Sequence, residues 1–172
     1  MKRAVWTIII LLTCWTLTHC QSFYRWRPDT NVPVYFMPGF SPEQRAAAFR
    51  GMRLWNVANI AFTEAGNTSE VMKCENCLTL TRAVSSNPSE LAHLTAWPII
   101  NTQFIGCAVI ELDPRTQALD AIESFVGHET GHSLGLPDVN SGKSIMGHFD
   151  HGLNRPGPRI TEADILAARR NY

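Results

Sequence analysis

Neither sign of charge dominates this sequence. Its 172 residues carry 15 Lys and Arg against 15 Asp and Glu, a formal net charge of zero, and no run of like charge stands out. A nucleic-acid or acidic-surface partner leaves a basic patch, so none is expected. Repeats and low-complexity blocks are missing too, which sets aside repeat architectures. Long apolar runs are scarce. The stretch from Ala4 to Leu17 is too short for a comfortable membrane span. Behind Lys2 and Arg3 it has the layout of a signal peptide, assigned to residues 1–20, so the chain is expected to be secreted. A lipoprotein anchor at Cys20 is the lesser alternative, because His19 sits where a lipobox wants a small residue.

Cysteine is sparse, five in all. Cys14 leaves with the signal, and the mature chain keeps Cys74, Cys77 and Cys107, with Cys20 depending on the cleavage site. An oxidising compartment implies at least one disulfide, either Cys74 with Cys77 or one of them with Cys107.

The remainder reads as one domain, residues 21–172, with the 45% hydrophobic share of a globular chain. Val32, Val34 and Phe36 alternate as a strand. Ser41-Pro42-Glu43-Gln44 reads as a capping box opening a helix that runs to about Asn59 and places Ala48, Met52 and Trp55 on one face. Strands are expected at IAFTEA, LTLTRAV, 91–97 and 107–113. A helix follows from Asp120 to Gly135, then a loop rich in Gly, Pro and Asn, then a last helix capped by Thr161 with Asp164. The pattern is α+β.

The informative stretch is HETGHSLGLPD, residues 128–138. His128 and His132 are four apart on a helix, so both imidazoles leave one face about a turn apart. That spacing lets two neutral nitrogens reach one Zn²⁺. Glu129 lies between them, placed to take a proton from a water activated by the metal. Gly135 suits a left-handed helix end, and the turn that follows brings Asp138 back as a third ligand. Three protein ligands leave a fourth position for water, as catalytic zinc requires. HExxH alone arises by chance in roughly one chain in a few hundred, and adding Gly135 and Asp138 at fixed spacing makes it about one in 10⁵. A helix with two incidental surface histidines is therefore set aside.

HETGHSLGLPD with the following Ser144-Ile145-Met146 resembles the metzincin metalloproteases. Aspartate as third ligand is similar to the snapalysin group, and RLWN, IAFTEA, LAH at 91–93 and RITEADILAA are matrixin-like in order. The resemblance implies a twisted, mostly parallel five-stranded sheet with an antiparallel edge strand, an active-site helix, a Met-turn and a C-terminal helix. It implies one catalytic Zn²⁺, with no calcium site fixed by the residues. Met146 becomes the Met-turn methionine, packed beneath the metal. Leu91, Ala92, His93 and Leu94 become the edge strand that pairs with a protein or peptide substrate. The implied activity is a secreted monomeric endopeptidase. The alternative is a silent relative that binds a peptide or inhibitor, and intact Glu129 argues against it. Two departures stand out. No inhibitory propeptide fits between residue 20 and the first strand, so the enzyme is expected to be born active or to be controlled by a partner such as a proteinaceous inhibitor. His148 lies two residues after Met146, where astacin-like relatives carry a tyrosine, and is a candidate to stabilise the transition state or approach the metal.

Overall fold

Residues 24–55, 60–71, 75–87, 89–147 and 159–172 are described by a computed structural model. The expected signal segment 1–20, Cys74, His148 and His151 lie outside them. Strand β1 is Asn31–Phe36, and its alternating Val32, Val34 and Phe36 are fully buried. Helix α1, Pro42–Arg53, opens with the capping box read from the sequence: Ser41 accepts from the Gln44 amide, and the Gln44 side chain returns to Ser41 N. It ends at Arg53 instead of near Asn59, with Leu54 as C-cap. Trp55, expected on the helix face, lies beyond its end, and its Nε1 donates to the Gly127 carbonyl at 2.6 Å.

The sheet continues with β2 (Ala61–Asn67), β3 (Cys77–Arg82), β4 (Ala92–Pro98) and β5 (Ile105–Leu112), in the order β2-β1-β3-β5-β4. The first three pairings are parallel and β4 joins β5 antiparallel at the edge, the arrangement the resemblance implied. Helix α2 spans Leu119–Ser133 and α3 spans Glu162–Arg170. The α2 N-terminus lacks a side-chain cap, since Ala118 holds the cap position and Asp120 sits inside the first turn. Thr161 and Asp164 form the expected box on α3.

One core joins the sheet to the helices. Val34, Leu78, Leu80, Ile110 and Leu112 meet Met52, Ile122 and Val126 there, all fully buried. In this α+β packing α2 lies against α1 and near the edge strand, so a cleft between α2 and β4 follows from topology. Cys77 and Cys107 are register partners on adjacent strands. No helix among the described residues is long and apolar enough to cross a membrane.

Candidate metal centre

Helix α2 delivers His128 and His132 as their spacing requires. The two rings stand almost perpendicular, 88° apart with centroids 4.7 Å apart, and their Nε2 atoms are 3.1 Å from each other. What turns them inward is backbone. His128 Nδ1 lies 2.7 Å from the Ile145 carbonyl, and His132 Nδ1 lies 2.8 Å from the Leu136 carbonyl. A carbonyl only accepts, so each Nδ1 carries a hydrogen and each neutral ring turns a bare Nε2 lone pair toward the other.

The third group arrives on a turn. Gly135 has φ +81°, the left-handed conformation a side chain resists. Its amide bonds the His132 carbonyl at 2.9 Å, and the Leu136 amide bonds the Gly131 carbonyl at 3.2 Å, which closes the helix as a Schellman motif. The chain then reverses and sets Asp138 Oδ1 3.3 Å from His128 Nε2 and 3.5 Å from His132 Nε2. A tetrahedral zinc with ligand bonds of about 2.0–2.1 Å needs ligand atoms about 3.3–3.4 Å apart. The donor set and its spacing therefore fit one zinc ion. Among the described residues no other group of three such side chains converges.

Charge at the centre is shaped by burial. Burial alone disfavours charged His128, but contact with Asp138 and the nearby Glu129 outweigh it and raise its pKa. Glu129 is only 6% exposed. Burial pushes its carboxyl pKa up, against the pull of His128, His132 and His93.

Met146 is buried beneath the helix. Its Sδ and the Trp55 ring occupy the space where a Cβ on Gly131 would stand, so a glycine is required there, one residue before His132. The turn itself is held from below. Ser144 Oγ donates to Asp164 Oδ1 on α3 and accepts from the Met146 amide at 2.9 Å. Ser144 was legible only as the start of the Ser144-Ile145-Met146 motif, and its bond to α3 was not. Asp164 announced itself only as a helix cap.

Glu129 and His128 line a cavity of about 180 Å³ with Phe125, Leu91, Ala92 and Gly147. Leu91 and Ala92 therefore border the centre. Leu91 lies just before β4, and its carbonyl accepts from the Asp113 amide at 2.9 Å. That bond sets the phase of the antiparallel ladder: Leu91, His93 and Thr95 bond inward, and the backbone of Ala92, Leu94 and Ala96 faces outward. His93 does not line this cavity. Its Nδ1 is 3.1 Å from Glu90 Oε1, and it faces a second cavity of about 250 Å³ with Glu111 and Asp113.

No sequence-family profile matches the chain, and no curated protein resembles it significantly in sequence. Among solved structures its fold is similar to that of archaemetzincin from Methanopyrus kandleri. The TM-score is 0.59 at 14% identity, over 90% of this chain and 98% of that one. At such low identity the likeness speaks for architecture alone, and that architecture is metzincin-like.

Proposed function

We propose that the chain is a zinc-dependent endopeptidase with His128, His132 and Asp138 as metal ligands and Glu129 as general base. One observation carries this reading. Two imidazole Nε2 atoms and a carboxylate oxygen converge within 3.1–3.5 Å of one another, an arrangement that repels itself until a proton or a metal ion binds among them and whose spacing fits zinc. The metzincin-like fold and the cleft beside the edge strand agree with it.

Zinc held there would supply Lewis acidity, polarising a scissile carbonyl and making a water easier to deprotonate. The chain's own residues do the rest. Glu129 takes the proton from the attacking water and returns it to the leaving nitrogen. The outward amides and carbonyls of Ala92, Leu94 and Ala96 pair with an extended peptide and hold its backbone along the cleft. An aspartate third ligand followed by Ser144-Ile145-Met146 is similar to the snapalysin type, and the reading follows that likeness. The reading includes secretion after removal of residues 1–20, a mature domain of 21–172 and a Cys74–Cys77 bridge. His148 keeps its proposed part in stabilising the transition state.

The test is digestion of a denatured protein by the mature chain, with and without a chelator, beside Glu129→Gln. The variant should keep stoichiometric zinc while turnover falls by about 10²–10⁴. Chelator-insensitive cleavage, or wild-type turnover in Glu129→Gln, would refute the mechanism.

A further inference from the structure

Resting on that zinc reading, we propose that Asn171 is a positioning residue for the third ligand, locking the turn that carries Asp138. The Schellman closure uses the carbonyls of Gly131 and His132, and the Trp26 amide donates to that of Ser133. This leaves the C-cap carbonyl of Leu134 and, one residue past the helix, that of Gly135 in need of donors. They lie at the negative end of the α2 dipole, where a pair of N–H groups is favoured. Asn171 Nδ2 supplies both hydrogens, at 3.0 Å to the Leu134 carbonyl and 3.2 Å to the Gly135 carbonyl.

The clamp acts close to the metal centre. Between Gly135 and Asp138 stand only Leu136 and Pro137. Proline fixes its own φ, so the lever is short and stiff. The Leu136 carbonyl also receives His132 Nδ1, so a shift at Gly135 reaches two ligands at once. Asp138 is exposed, whereas both histidines are partly buried, and it depends most on the turn that presents it. Asn171 has ordinary helical dihedrals, φ −81° and ψ −9°, so alanine there carries no backbone strain.

The experiment measures zinc dissociation on the full chain by competition with chelators of graded strength. Asn171→Ala should weaken zinc by about 10–100-fold, the usual loss when an outer-shell partner is removed. Asn171→Asp is isosteric and should lose more, because its carboxylate faces two carbonyls with no hydrogen to give. In an Asp138→Ala background, Asn171→Ala should cost clearly less zinc affinity than in the wild type, since only the route through the Leu136 carbonyl to His132 remains. The cobalt(II)-substituted protein should show an altered visible spectrum in Asn171→Ala, and Arg169→Ala on the same helix should match wild type throughout. Unchanged zinc affinity in Asn171→Ala overturns the inference, as does an undiminished loss in the Asp138→Ala background. A wild-type chain that takes up no zinc overturns the proposed function itself, and this inference with it.

Discussion

Helix α2 and the segment after it, residues 134–147, build the proposed metal centre in opposite ways. The helix supplies two ligands through its own periodicity, so their proximity follows from covalent geometry. The segment supplies one ligand, Asp138, through a turn that other parts of the chain must hold. The division is less clean than it looks. Both imidazoles take their orientation from carbonyls in that segment, Leu136 and Ile145. Ligand proximity comes from the helix, and ligand direction comes from the loop.

Removing ligands gives the largest effects and tests that division. His132→Ala removes a ligand and also frees the Leu136 carbonyl, so it should cost more zinc affinity than Asp138→Ala. Competitive chelator titration decides, and an equal or reversed order would show that the turn stands without the helix. Asp138→His should retain metal.

A smaller effect is expected from Ser144→Ala, which touches no ligand. It strips a partner from Asp164 and from the Met146 amide, and so loosens the Ile145 carbonyl that orients His128. Zinc should bind about 10–100-fold more weakly, by the same titration. Full wild-type affinity would mean that the helix alone orients its histidines.

The smallest change should come from Trp26→Phe. Trp26 Nε1 donates to Ser133 Oγ at 3.0 Å and steadies the end of α2, while Ser133 keeps its own bond to the Thr130 carbonyl. A loss of about 0.5–1.5 kcal/mol in chemical unfolding is expected, with zinc affinity unchanged. A fall in zinc affinity would place the N-terminal segment among the supports of the centre.

Much of this was legible in the sequence because it is local. Val32, Val34 and Phe36 announced their strand by alternation, Ser41 with Gln44 and Thr161 with Asp164 announced helix starts, and His128, His132, Gly135 and Asp138 announced a site by spacing. Illegible were features decided by distant packing. The end of α1 at Arg53 falls where an apolar pattern continues, since Trp55 turns aside to bond Gly127. A carbonyl anchor such as Ile145 has no side-chain signature at all. Asn171 reaches back to Leu134 across 37 residues, and nothing local marks it. The cysteine pairing stayed open, because spacing along the chain does not fix which of Cys74, Cys77 and Cys107 bond.

The outward backbone of Ala92, Leu94 and Ala96 has a further consequence. An open sheet edge recognises a chain by its main-chain hydrogen-bonding groups, which every sequence shares. A segment already committed to a helix or an inner strand has spent those groups and cannot offer them. On the proposed reading, selection at this edge is therefore by conformation before it is by sequence. Compact native proteins would pass it untouched, while exposed loops, frayed ends and unfolded chains would be caught, whatever their side chains.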